Sequence, residues 1–331
     1  MPSAGKPKTG SKVRPRPPFE VNGVTAPAGR LTEVELRIAR LPTGMWFSLP
    51  VGVVHGKNPG PVIWISAAIH GDELNGVPII RHVLDRIDPA KLSGTVLAVP
   101  AVNVLGLVQE SRYLPDRRDL NRCFPGSKRG SSASQLAHLF MTEIVARSSV
   151  GIDLHTGSGG RTNLPQLRCD LEDPETLRLA REFAPPILVH ARVRDGSLRG
   201  AAAELGKTVL LYEAGEASRF SASAIDMGVR GILRVMQALD MLDSSTEPAA
   251  PAPRISRSSS WLRAQRTGFC EMMVSLGAEV REGDTVAIIF GALGRKQMAV
   301  KAKSAGVVIG HVTSPIVHRG DAVANIATVT G

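Results

Sequence analysis

Two short runs place metal-binding side chains at the ends of apolar segments. The first, Ala67-Ala68-Ile69-His70-Gly71-Asp72-Glu73-Leu74-Asn75-Gly76, sets an imidazole and a carboxylate three residues apart. The second, Asp153-Leu154-His155-Thr156-Gly157, adds another imidazole with an acidic neighbour. Two histidines and one glutamate make a three-ligand zinc set with one coordination position open, and an open position marks a catalytic ion rather than a structural one. The implied chemistry is hydrolysis by a zinc-activated water, with one Zn2+ per subunit held by His70, Glu73 and His155. Asp72 and Asp153 are the carboxylates at hand to take the second ring N–H of each imidazole. A bare His-x-x-Glu recurs by chance as the first turn of a helix, so the weight rests on the pair of runs. The other histidines, His55, His82, His138, His190, His311 and His318, either lie inside helical patterns or lack a carboxylate at ligand spacing, and are left out of the set.

Further along, Glu213 in Leu211-Tyr212-Glu213-Ala214-Gly215 closes a third apolar segment. A carboxylate there suits a general base that takes a proton from the attacking water and returns it to a leaving amine. Its bland alternative is a cap or a salt bridge. The run from Arg112 to Arg122 is dense in guanidinium groups around a turn. Arginine binds carboxylates bidentately and can steady an oxyanion. Asn121 and Arg122, beside Phe124-Pro125-Gly126, are candidate substrate contacts. Arg199 in Ser197-Leu198-Arg199-Gly200 is another. For any single arginine, a solvated surface charge is the plain alternative.

These side chains need elements to hold them. Residues 20–56 alternate apolar and polar positions, as in Glu33-Val34-Glu35-Leu36-Arg37-Ile38, and read as antiparallel strands. Residues 61–68 form a continuous apolar run of strand length, consistent with a strand covered on both faces. Helical spacing follows over 77–87, a strand over 95–100, a helix over 135–146 and a strand over 150–154. The pattern continues with a helix over 175–183, strands over 187–190 and 208–212, and a long helix over 223–242. Alternation of this kind predicts an α/β domain with a mixed, mostly parallel sheet. In such sheets ligands gather at the carboxyl ends of strands, where His70, His155 and Glu213 all fall.

Composition narrows the classes. The 331 residues are 43% hydrophobic, 21% charged and only 4% aromatic, which suits a globular protein and argues against aromatic stacking surfaces for single-stranded nucleic acid. The net charge of +10 is carried in part by a Pro- and Gly-rich basic tail, residues 1–19, which has no apolar signal region. No helix-turn-helix or zinc-finger pattern is visible and no apolar run reaches membrane length, so neither nucleic acid nor membrane is an expected partner and the expected location is cytoplasmic. Cys123, Cys169 and Cys270 show no paired spacing and supply neither a disulfide framework nor a zinc site. A hydrolase domain over 20–243 is followed by a Pro-, Ala- and Ser-rich linker over 244–255, then a β-rich module over 256–331. Within that module Gly277 to Ile288 and Ile316 to Ile326 share an apolar-x-x-Gly-Asp pattern, which predicts two symmetric halves.

The two histidine runs, Asp119-Leu120-Asn121-Arg122-Cys123-Phe124-Pro125-Gly126 and Tyr212-Glu213-Ala214-Gly215 occur together and in order. Together they resemble the succinylglutamate desuccinylase/aspartoacylase family, relatives of the zinc carboxypeptidases, over about residues 30–330. The resemblance implies a zinc-carboxypeptidase-like α/β domain plus a small C-terminal all-β, barrel-like domain. It implies zinc on His70, Glu73 and His155, and Glu213 as general base and acid. Asn121 and Arg122 match the substrate-binding pair, Arg199 a carboxylate-binding arginine, and Arg112 an upstream arginine for which Arg117 or Arg118 are alternatives. The implied reaction is hydrolysis of the amide of a small N-acyl amino acid carrying a carboxylate, in a monomer or a homo-oligomer. Aspartoacylases proper also use a C-terminal tyrosine, whereas this chain has only Tyr113 and Tyr212, so the substrate does not carry over. Val300 to Val308 is similar to the strand after the modified lysine of biotinyl/lipoyl barrels. Lys296 lacks the usual flanking methionines there, so the module reads as an unmodified cap or dimerisation element. Two rival readings remain open: a metallocarboxypeptidase acting on peptides, and a non-catalytic binding or scaffold protein whose β module is the working part.

Overall fold

The computed structural model describes residues 16–243, 250–294 and 297–329. Most of the basic tail, the linker stretch 244–249 and Lys296 lie outside the described residues. In chain order the elements begin with the strands β1 (Phe19–Val21), β2 (Val24–Ala26), β3 (Arg30–Arg40), β4 (Trp46–His55) and β5 (Asn58–Ala67). Helix α1 (Gly76–Arg86), β6 (Ser93–Val99), α2 (Val104–Val108), α3 (Ser132–Phe140), β7 (Val150–Gly157) and β8 (Arg161–Cys169) follow. Next come α4 (Pro174–Phe183), β9 (Ile187–His190), α5 (Leu198–Glu204), β10 (Thr208–Glu216) and α6 (Ala222–Ala238). The remainder is all strand: β11 (Arg254–Arg263), β12 (Gly268–Met272), β13 (Glu279–Val280), β14 (Thr285–Phe290), β15 (Met298–Lys301), β16 (Gly306–Val312), β17 (Ile316–Val317) and β18 (Ala322–Val329). Among the described residues no helix is long and apolar enough to cross a membrane.

The sheet is mixed. Strands β6, β5, β7 and β10 run parallel at its centre; β4 and β3 flank one side antiparallel, and β8 flanks the other. Ile63, Trp64, Ile65 and Ala67 of β5 are fully buried, which is why this strand reads as a continuous apolar run rather than an alternating one. One face is covered by α1, α4 and α6, whose apolar stripes (Ile79, Ile80 and Val83; Leu179 and Phe183; Ile232 and Met236) pack together with the sheet. The other face is covered by the segment around α3 and α5, with Leu136, Phe140 and Leu198 in its core. Gly76 opens α1 where a Cβ would meet those of Ala67 and Leu154 at 2.4 and 2.8 Å, so glycine lets the helix seat against β5 and β7.

Strand β8 is absent from the sequence reading, and its chemistry explains why. It is polar (Arg161, Thr162, Asn163, Gln166, Arg168) and contains Pro165, which cannot donate to a ladder. Its register with β10 shifts between Gln166 and Asn163, so the proline sits in the irregularity.

β8 also belongs to a second structure. It pairs with β9, β9 with β11, β11 with β18, β18 with β16, and β16 returns to β8 through Gly310 opposite Asn163. This closed five-stranded barrel joins the C-terminal strands to the α/β sheet, and Ile187 and Val189 pack directly on Val307, Ile309 and Ala327. A four-stranded sheet, β15-β14-β12-β17, completes the C-terminal part. The two halves announced by the repeated Gly-Asp pattern share one turn geometry. Asp284 accepts from the Arg281 N–H and Asp321 from the His318 N–H, each at 2.7 Å. Each aspartate N–H returns to the same residue's carbonyl, and Gly283 and Gly320 both take positive φ.

Candidate active site

The loop after β5 carries the first two functional side chains. Ala68 holds a left-handed φ of 48° at full burial, and His70 and Glu73 follow on a tight turn closed by the Glu73 N–H to His70 carbonyl bond. His155 comes from β7, one strand over, in register with Glu213 of β10. Asn75 fastens these elements together. Its amide donates to the Ala214 carbonyl at 3.0 Å and its Oδ1 accepts from the Ser221 N–H at 2.9 Å.

His70, Glu73 and His155 meet, all buried, with ligand atoms within 4.8 Å of one another. Glu73 is central. Its Oε2 lies 2.8 Å from His155 Nδ1 and accepts from the Thr156 N–H; its Oε1 lies 2.8 Å from His70 Nδ1 and accepts from Arg112. The far nitrogen of each ring faces a carboxylate. His155 Nε2 lies 2.8 Å from Asp153 Oδ2, and Asp153 in turn accepts from Ser66 on β5. His70 Nε2 lies 3.2 Å from Asp119 Oδ1. Asp72 bonds to neither imidazole; Asp119 occupies the position that spacing alone suggested for it. The Asp119 carboxylate lies in the arginine-dense run, 49 residues from the His70 it meets only through the fold, so no local spacing marks it.

Burial disfavours the charged forms of these groups, but their mutual attraction outweighs it. Glu73 is held well below the usual carboxylate range by the two histidines, and Asp119 by His70 and Arg112. His155 is raised well above the ordinary imidazole value by Asp153 and Glu73, and His70 is raised by Glu73 and Asp119. His70 Nδ1 nevertheless stands off the direction of a hydrogen bond and is a buried nitrogen without a hydrogen-bonding partner. A buried lone-pair donor beside a second imidazole and a carboxylate, each ring steadied from behind by a carboxylate, is a donor set that fits zinc.

The set opens into a cavity of about 530 Å³ whose lining includes Arg112, Asn121, Arg122, Arg199 and Glu213. The alternatives for the upstream arginine separate cleanly. Arg112 lines the cavity and bonds Glu73 and Asp119, while Arg117 and Arg118 are exposed outside it. Asn121 is fixed by its Oδ1, which accepts from the Leu198 N–H, leaving its amide nitrogen as the end available to a ligand. Arg199 donates from both terminal nitrogens to the carbonyls of Ala191 and Arg192, so it shapes the loop after β9 as well as bordering the cavity. Glu213 accepts from the Asn163 amide at 2.8 Å. Sequence reasoning missed the wall made by β8 and β11: Arg161, Asn163, Arg168, Ser259 and Trp261 all line the cavity, and Arg161 stacks over Trp261 at 5.6 Å.

A mixed α/β sheet joined to a small β-barrel, with a His-Glu-His set and a glutamate at the carboxyl ends of adjacent parallel strands, defines the class: an α/β protein with a side-chain cluster that could hold a metal ion. Within that class the chain belongs to the succinylglutamate desuccinylase/aspartoacylase family. The model for the succinylglutamate desuccinylase/aspartoacylase catalytic domain matches residues 59–239, more than half of the chain. Over 296 residues it is 28% identical to the N-alpha-acetyl-L-2,4-diaminobutyric acid deacetylase of Halomonas elongata, spanning 85% of this chain and 86% of that protein. A succinylglutamate desuccinylase/aspartoacylase from Rhodobacter sphaeroides superposes with a TM-score of 0.82 at 28% identity, covering 92% of this chain and 97% of that one. The product-bound ectoine utilization protein EutE (DoeB) from Ruegeria pomeroyi shares the fold, with a TM-score of 0.84 at 23% identity over 95% of this chain and 99% of that one.

Proposed function

We propose that the chain is a zinc-dependent amidohydrolase that removes the acyl group from an N-acyl amino acid or a related small amide. The observation that carries this reading is the convergence of His70, Glu73 and His155 with Glu213, in register on the next strand, in the lining of an arginine-rich cavity. The family assignment supports it, and so does the named deacetylase activity of the Halomonas relative.

His70, Glu73 and His155 would hold the zinc, which when bound would supply Lewis acidity toward the amide carbonyl and the attacking water. Glu213, oriented by Asn163, takes the proton of that water and delivers it to the departing amine. Arg112 holds Glu73 and Asp119 in place and brings positive charge to the side of the site where an oxyanion develops. Asn121, Arg122 and Arg199 hold the substrate carboxylate.

The zinc-loaded protein is expected to release free amine from N-acyl amino acids and to leave dipeptides largely intact. Faster cleavage of dipeptides than of every N-acyl amino acid in the panel would replace this reading with a carboxypeptidase.

A further inference from the structure

Asn163 on β8 has a glycine opposite it on each side. Gly215 of β10 pairs with it across one edge and Gly310 of β16 across the other. Its amide nitrogen donates to Glu213 Oε2 at 2.8 Å, and among the described residues this is the hydrogen bond that reaches the Glu213 carboxylate. The strand ladder does little to fix that side chain, because the register of β10 shifts just beyond Glu213 toward both β7 and β8. The orientation of the base therefore depends on one amide.

The room for that amide comes from the C-terminal strands. A Cβ at Gly310 would lie 2.7 Å from Asn163 Oδ1, with the Thr162 carbonyl at 3.4 Å and the Trp261 ring at 3.7 Å. The first distance is well inside van der Waals contact. The backbone of β16 cannot retreat, since it is paired with β8 on one side and β18 on the other. The Asn163 amide is the movable partner, and turning it aside takes Nδ2 off Glu213. Gly310 does not take a positive φ, so its backbone would accept alanine; the close approach of Asn163 is what asks for glycine.

We propose that Gly310 is a positioning residue for the reaction: by leaving space for Asn163, the C-terminal barrel orients the general base. The proposal rests on the reading of Glu213 as that base. It extends the catalytic apparatus to β16, a strand with no residue in the cavity lining.

The test compares wild type, Gly310→Ala, Asn163→Ala, the double variant and Val308→Ala, each with zinc content measured, on the N-acyl amino acid that wild type hydrolyses fastest. Gly310→Ala should lower kcat by about tenfold or more, the scale of one hydrogen bond to a charged group, with KM and zinc content unchanged. Asn163→Ala should do the same. The double variant should be no slower than either single one, because Asn163→Ala removes the atom that the new methyl strikes. Val308→Ala opens a cavity in the core of the C-terminal strands, so it should lower the melting temperature and leave kcat near wild type. A Gly310→Ala protein with wild-type kcat overturns the proposal. So does a double variant whose losses multiply, or a Val308→Ala protein slowed as much as Gly310→Ala. If Gly310→Ala does not fold, the double variant should fold and match Asn163→Ala; a double variant that also fails to fold overturns the proposal. If wild type hydrolyses no N-acyl amino acid, the deacylase reading fails, and a crystal structure of Gly310→Ala decides about Gly310. The Asn163 amide must then be turned away from Glu213; a retained 2.8 Å bond overturns the proposal.

Discussion

Replacing Asp119 by alanine removes three hydrogen bonds at the centre of the site. They run to His70 Nε2 at 3.2 Å, to Arg112 Nη2 at 3.0 Å and to the Asn121 N–H at 2.9 Å. The first fixes the ring whose Nδ1 would bind zinc, and the second steadies the arginine bonded to Glu73. Losing a carboxylate behind a ligating imidazole costs about 10- to 100-fold in metal affinity. That corresponds to about 1.4–2.7 kcal/mol of binding energy. The extra loss of Arg112's partner places Asp119→Ala toward the upper end. A competition titration with a chromogenic chelator reads this range. Asp72→Ala is the internal control, since the Asp72 carboxylate reaches neither imidazole, and its effect should stay within about threefold, below that range. If Asp119→Ala binds zinc as tightly as wild type, or if Asp72→Ala is the more damaging change, then the steadying of His70 by Asp119 is wrong.

Zinc binding should release protons. In the metal-free protein His70 and His155 are raised by their carboxylate neighbours, so they hold protons below those raised values, while zinc needs the neutral rings. Affinity therefore climbs with pH until the raised values are passed and then levels, and calorimetry in buffers of different ionisation enthalpy should show the release; pH-independent affinity between pH 5 and about 7 would contradict this sign. Asn75→Ala should lower unfolding free energy by about 2–3 kcal/mol in denaturant titrations, because it leaves the Ala214 carbonyl and the Ser221 N–H without their bridge; a loss under about 0.5 kcal/mol would argue against it. Truncation after residue 243 removes the strands that close the barrel on β8 and β9 and uncovers Ile187 and Val189, so the shortened chain should aggregate. A soluble, cooperatively melting truncation product would show instead that the α/β part stands alone.

The parts of the fold visible in the sequence are those whose burial leaves one signature. β5 and β7 are continuous apolar runs because both faces are covered, and α1 keeps Ile79, Ile80 and Val83 on one stripe. β8 left no such trace. It is polar because one of its faces lines the cavity, and Pro165 breaks its pattern. Helix α5 was equally hidden, since its seven residues are mostly alanine and glycine. The site divides in the same way. His70, Glu73, His155 and Glu213 come from short runs at strand ends, where local spacing carries the signal. Asp119 reaches His70 from the turn before Asn121, while Arg161, Arg168 and Trp261 reach the cavity through pairings far apart in sequence, and nothing local distinguishes any of them from surface residues. The barrel itself could be foreseen as a β-rich module with a repeated turn. That its strands complete the wall of the cavity needed the pairing of β16 with β8.

The role of Glu213 is the narrowest point of the proposed chemistry. Zinc content and the initial rate of amine release from an N-acyl amino acid should be measured on the same preparations of wild type and Glu213→Gln. Glutamine keeps the shape and a hydrogen-bonding carbonyl but cannot take a proton, and Glu213 is outside the ligand set. Both proteins should carry one zinc per chain, and the variant should be slower by about 10²- to 10⁴-fold. A Glu213→Gln protein that holds its zinc and hydrolyses at the wild-type rate would contradict the proposed mechanism.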